Sequence, residues 1–220
     1  MPRPRTHDLD KLMDVAEKLA VEAGAAAVTV RALSELTGVS NGAIYHAFGS
    51  RAGLVGRVWL RAAQQFLAVQ RDAVDAALGG ADSSGADKPG AAVEAVVVAA
   101  DTPATFLLDQ PVRGQFLLTV SRRELLGSDD LPTDLAAELN TLDTTLAELF
   151  ITLSQAMWGR ADPLAVSVIR DCVVELPTAL LLRGRRLPEP DVRQRLTTAV
   201  RAVLTVPLPE PTPTRRSTDR

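Results

Sequence analysis

The chain has few side chains able to make or break bonds. Its 220 residues include two histidines and one cysteine, with no glycine-rich phosphate loop and no cluster at metal-ligand spacing. Asp109, Asp129 and Asp130 stand without a base–nucleophile set around them. This argues against an enzyme, a metal centre or a bound cofactor. The groups best suited to polar recognition gather in one stretch, Leu36 to Arg51. It carries Asn41, Tyr45, His46 and Arg51 among three glycines and several small polar residues. One long helix would be weakened by that composition. A joint between short helices tolerates it.

The flanking pattern supplies those helices. Leu9, Leu12, Ala16, Leu19 and Ala23 share one helical face, and Gly24 ends it. Thr29 is an N-cap for a short second helix bearing Val30, Leu33 and Leu36, which Gly38 ends. Ser40 caps a third helix, from about Asn41 to Ala47, with Ile44 and Phe48 facing inward. Ser50 caps a long helix reaching about Leu78. The second and third helices with their tight turn predict a helix-turn-helix, which props the third helix outward towards a DNA major groove. Charge points the same way. Leu36 to Arg71 contains no Asp or Glu but has Arg51, Arg57, Arg61 and Arg71, which predicts a locally positive face. The acidic residues Asp8, Asp10, Asp14, Glu17 and Glu22 fall on the first helix. A net charge of −3 argues against coating nucleic acid over the whole surface.

The run from Thr29 to Leu54, with Thr-Val at its start and Gly-Val-Ser-Asn-Gly-Ala-Ile-Tyr-His-Ala-Phe-Gly-Ser-Arg in its centre, resembles the DNA-binding signature of the TetR (tetracycline-repressor-like) regulators. The resemblance covers about residues 8–56. It implies that Thr29 and Arg31 begin the helix crossing the phosphate backbone, that Ser40, Asn41, Gly42 and Ala43 open the reading helix, and that Tyr45 and His46 touch phosphates or base edges. Arg51 stands where the family usually has Lys and is expected beside a phosphate. Asn41 departs from a common Lys or Arg, trading a charge for an amide fork that suits adenine. Ala43 leaves only an apolar contact, Ala47 removes one phosphate contact, and Ala25 stands where the family favours an aromatic residue.

The expected fold is all-α: a helix-turn-helix domain over 1–56, a helical effector-binding and dimerisation bundle over 57–206, and a Pro-rich disordered tail over 207–220. Gly79 to Gly90 is a mobile linker by composition. Further helices are predicted at about 91–100, 103–109, 112–126, 132–159, 163–183 and 189–205, with Pro177 kinking or ending its helix near Glu175. Leu135, Leu139, Leu142, Leu146, Leu149 and Leu153 trace an apolar stripe. In relatives the long pair near the C-terminus forms a four-helix dimer interface. A homodimer is also needed mechanically, to set two reading helices about 34 Å apart on near-palindromic double-stranded DNA. The resemblance implies a small-molecule effector, apolar or amphipathic, with Phe66, Phe106, Phe116, Phe150 and Trp158 available to line a pocket and Gln115, Asn140 and Thr144 to orient the ligand. The same aromatic residues suit an ordinary core. Cys172 reads as a small buried apolar residue rather than a redox sensor. No internal disulfide is possible, the apolar patches are too short or interrupted to span a bilayer, and no signal-peptide core opens the chain, so a cytoplasmic protein without a membrane partner is expected. The leading function is a transcriptional repressor released from its operator by a ligand. The alternative is a ligand-independent DNA-binding adaptor or architectural protein of the same fold.

Overall fold

The computed structural model describes residues 6–84, 88–182 and 188–210. Every regular element among them is helical. The chain opens with α1 (Thr6–Ala23), a 3₁₀ turn (Ala25–Ala27), α2 (Val30–Thr37) and α3 (Asn41–Phe48). Then come α4 (Arg51–Ser84), α5 (Lys88–Asp109), α6 (Pro111–Thr119), α7 (Arg122–Leu126), α8 (Thr133–Trp158), α9 (Pro163–Arg170) and α10 (Pro190–Leu204).

Local chemistry sets the first short helices. The Thr29 hydroxyl accepts from the Ala32 N–H at 3.1 Å, and Ser40 Oγ accepts from Ala43 N–H at 3.2 Å. Each satisfies one of the free donors at a helix start. Gly38 and Gly49 end α2 and α3 at φ 73° and 72°, a region that side chains with a Cβ rarely enter. Ser50 Oγ accepts from Gly53 N–H at 2.9 Å and donates to the Asp130 carbonyl at 2.7 Å, so one hydroxyl caps α4 and ties it to the loop before α8.

Three apolar clusters hold the elements together. The first joins Leu12, Ala16, Leu33, Ile44 and Phe48 to Leu54 and Val58 of α4, and to Phe116, Val120 and Leu125 from α6 and α7. The core beneath the short helices therefore continues beyond residue 56. The largest cluster holds Val74, Ala95, Ala99, Leu149, Phe150, Leu153, Ile169, Cys172, Leu196 and Val200. A third sets Leu60 and Ala63 against Leu135, Leu139 and Leu142. The Leu stripe of α8 thus faces the inside, five of its six members buried and Leu146 packed partly buried against the largest cluster.

Several expected breaks are not breaks. Gly79 and Gly80 continue α4, which runs on to Ser84, and helix resumes at Lys88; the expected linker is helical on both sides of residues 85–87, which lie outside the described set. The helices expected at 91–100 and 103–109 are one, with Pro103 inside it. That union makes Lys88–Asp109 long and apolar enough to cross a bilayer, against expectation, yet 56% of its most apolar window is buried in the protein. The helix expected over 112–126 divides instead at Val120 and Ser121. Pro177 does not end its helix. The chain continues from Arg170 through π-helical turns at Asp171–Glu175 and Thr178–Leu182. Leu176 N–H reaches back five residues to the Asp171 carbonyl. The wider turn makes room for a ring that would strike the carbonyl four residues earlier in an α-helix. Residues 207–210 have no regular structure; the rest of the expected tail, 211–220, lies outside the described residues.

Candidate nucleic-acid interface

Helix α3 divides cleanly by face. Ile44 is fully buried and Phe48 nearly so, while Asn41, Gly42, Tyr45, His46 and Ala47 are exposed. Residues four apart share a helix face, so Asn41 and Tyr45 form one outward row with Gly42 and His46 beside them. Tyr45 is 54% exposed, too open for a phenol that merely fills a core. Ser40 is exposed and Ala43 half-buried beneath the row. The row presents an amide, a phenol and an imidazole, all able to bond phosphate or base edges. Arg31 on α2 is exposed and donates from Nε to Glu35 at 2.9 Å, a pair one turn apart. Thr29 is half-buried and its hydroxyl serves the cap.

Several of the expected positive groups are engaged within the protein. Arg51 Nε donates to the Val28 carbonyl at 2.7 Å and Nη2 to the Ala25 carbonyl at 2.5 Å. The residue expected beside phosphate clamps the all-alanine turn after α1, where no aromatic side chain is present to pin it. Nor do the other arginines form a free positive face. Arg57 pairs with Asp134 at 3.0 Å and Glu138 at 2.6 Å, and Arg71 with Glu148 at 3.7 Å. Arg61 pairs with Asp14 at 2.7 Å and Glu17 at 2.6 Å. An acid-free stretch of sequence met its acids from α1 and α8 in space.

The Glu17 carboxylate is the hub of that network. Its side chain is 4% exposed and also accepts from Arg113 Nε at 3.0 and 3.1 Å. Arg113 reaches Asp14 at 3.2 Å and Gln110 at 3.0 Å, and Gln65 as well. A buried carboxylate needs such partners, because it loses its hydrogen bonds to water on folding. The cluster joins α1, which shares a core with α3, to α4 and α6. Sequence reading missed it, since Glu17 and Arg113 stand 96 residues apart.

Beside Arg113 lies a cavity of about 160 Å³, bounded by Phe66 on α4, Pro103, Phe106 and Leu107 on α5, Gly114, Leu117 and Leu118 on α6, and Leu182. Phe66 and Phe106 meet edge to face, centroids 5.5 Å apart. The other expected lining residues do not reach it. Phe116 belongs to the core below α1, and Phe150 to the largest core, with Trp158 packed against it. Asn140 and Thr144 are exposed on α8. Gln115 is half-buried on α6, outside the lining. The walls are wholly apolar.

Residues 12–58 match the family model for bacterial regulatory proteins of the tetR family. That segment carries the signature of the tetR family. The match covers the short helices and the start of α4, and it supports a DNA-binding regulator. Beyond residue 58 the likeness is one of architecture. The chain is similar to the TetR family transcriptional regulator PfmR from Thermus thermophilus, with 18% identity and a TM-score of 0.58, over 89% of this chain and 97% of that one. It is similar to the fatty acid degradation regulator FadR from Bacillus halodurans, with 16% identity and a TM-score of 0.58, over 91% and 96%. It is also similar to the superantigen PfiT, with 16% identity and a TM-score of 0.66, over 92% and 98%. These identities speak for the tetR-type fold alone. No curated protein matches the chain.

Proposed function

We propose that the protein is a cytoplasmic repressor that binds a near-palindromic operator as a homodimer and leaves it when a small apolar molecule fills the cavity between α4, α5 and α6. The observation that carries the DNA reading is the outward row Asn41, Gly42, Tyr45 and His46 on a helix whose other face is locked into the core. In this reading Thr29 and Arg31 hold the backbone crossing, Ser40 and Ala43 seat the helix start, and Arg51 acts by fixing the turn after α1. Residues 1–56 form the reading head and 57–206 the effector and dimer module. Ile151, Leu164 and Leu180, exposed on α8 and on α9 and its extension, offer the apolar face for the second copy.

The coupling runs through α6. A ligand pressing on Gly114, Leu117 and Leu118 displaces the helix that carries Arg113, and with it the Glu17 hub on α1. The effector need only bind the geometry unable to match two successive grooves better than the one that can. The fatty acid regulator of similar fold makes an apolar effector reasonable.

The test is retention of genomic DNA fragments on the purified protein, followed by challenge with single-ring and short aliphatic molecules. Release of a retained fragment by one of them supports the repressor reading. Retention unchanged by every probe favours the ligand-independent adaptor, a reading that the small cavity supports, because ligand pockets usually exceed about 300 Å³.

A further inference from the structure

Between Val28 and Ser50, the span of α2, α3 and their caps, the chain has one lysine or arginine, Arg31, and one acid, Glu35. The two are partners: Arg31 Nε donates to Glu35 Oε1 at 2.9 Å. Both side chains stay open to water, 86% and 64% exposed. Arg51, the next arginine along the chain, is engaged by the Val28 and Ala25 carbonyls. The Glu35 carboxylate thus offsets the one guanidinium that the two short helices offer to DNA.

Helix stability does not account for this pair. An exposed ion pair one turn apart contributes little. Its order is also the weaker one on a helix, where the acid is better placed four residues before the base. Arg31 lies in the first turn of α2 and Glu35 in the last, each at the end where the helix dipole disfavours its charge. We propose that Glu35 is a specificity-determining residue of DNA binding: it holds the Arg31 guanidinium back from phosphates out of register and yields it only to a backbone seated across the start of α2. The proposal rests on the DNA reading above, in which Arg31 holds that crossing. Non-specific binding is built almost entirely from phosphate contacts, so a carboxylate beside the guanidinium weakens that binding most. On the operator, the docked α3 holds a phosphate where its charge-assisted bonds to Arg31 displace the carboxylate. Discrimination then comes from the contacts Glu35 opposes as well as from those α3 makes.

The experiment measures the affinity of the full chain for two duplexes of equal length across a range of NaCl concentrations. One duplex is enriched from a random pool by the wild type, and the other is its scrambled sequence. The variants are Glu35→Gln, Arg31→Gln and the two combined, with thermal melts to check that each folds. Glu35→Gln is expected to bind the scrambled duplex about fivefold or more tighter, with log affinity against log salt steeper by about two, one phosphate for each head of a dimer. Its affinity for the enriched duplex should rise by less than about twofold, so discrimination falls. In the Arg31→Gln background the same change at position 35 should leave the scrambled-duplex slope where it was. Unchanged scrambled-duplex binding in Glu35→Gln, or an equal gain in the Arg31→Gln background, overturns the role of Glu35 and leaves the DNA reading standing. Enrichment of no duplex by the folded wild type overturns the DNA reading, and this proposal with it.

Discussion

The two ends of α4 enter two different kinds of structure. At its start, three helices of 18, 8 and 8 residues are fixed by hydroxyl caps, left-handed glycines and a modest core, and they leave a row of polar side chains free. Further on, helices of 22 and 26 residues are fixed by buried aliphatic side chains, and the buried polar groups serve as repairs. Gln70 repairs the gap at Pro103 by donating to the Ala99 carbonyl, and Arg61 and Arg113 supply hydrogen bonds to the buried Glu17 carboxylate. In the head, the exposed polar row of α3 consists of residues that stability does not need. In the bundle, the groups that would sense a ligand are ones that stability does need. Variants should therefore separate binding from stability in the first region and fail to in the second.

The largest effect should come from the bundle core. Leu153→Ala, at a fully buried site, is expected to cost about 4 kcal/mol in a urea melt. A loss under about 1 kcal/mol would mean that the bundle collapses around the gap. Glu17→Ala should cost about 3 kcal/mol, because it leaves two arginines short of a partner in a part-buried site. It should also weaken any effect of ligand on DNA affinity, and an unchanged linkage would remove the hub from the coupling route. Ser40→Ala, which removes a single cap, should cost about 1 kcal/mol by the same melt.

Two titrations sharpen the contrast at smaller scale. Burial and the adjacent Asp171 push the Cys172 thiol up to about 12, so it should stay silent towards a thiol reagent in the native protein at pH 8 and react on unfolding. Asp162, at the start of α9, is held at about 2, first by the hydrogen bond from Arg160 and then by backbone N–H groups. A carboxylate pKa lowered by folding contributes stability above its ordinary value and loses it as pH falls through the folded one. Protection of the first-turn amides of α9, taken relative to their intrinsic exchange rate, should therefore fall only as pH drops from about 4 towards 2. Loss of protection already at pH 6 would contradict that pairing.

The head was legible in sequence because its signals are local. Thr29, Ser40, Gly38 and Gly49 act within four residues of themselves, and the helix limits follow. The bundle was legible only as helical. Gly79, Gly80 and Pro103 are weak or breaking signals taken alone, yet tertiary burial and one distant glutamine outweigh them. The arginine run misled for the same reason, since its carboxylate partners come from α1 and α8. The exposed row on α3 was visible from spacing. The cavity walls were not, apart from Phe66 and Phe106, because they draw on three helices and Leu182.

The most direct test is selection of random double-stranded DNA by the purified protein beside an Asn41→Ala/Tyr45→Ala variant. Both side chains are exposed, so the variant should melt within about 0.5 kcal/mol of the wild type. The account predicts an enriched inverted repeat that the variant binds at least about tenfold more weakly. Enrichment of the same repeat by both proteins, or of none by a folded wild type, would contradict reading by α3.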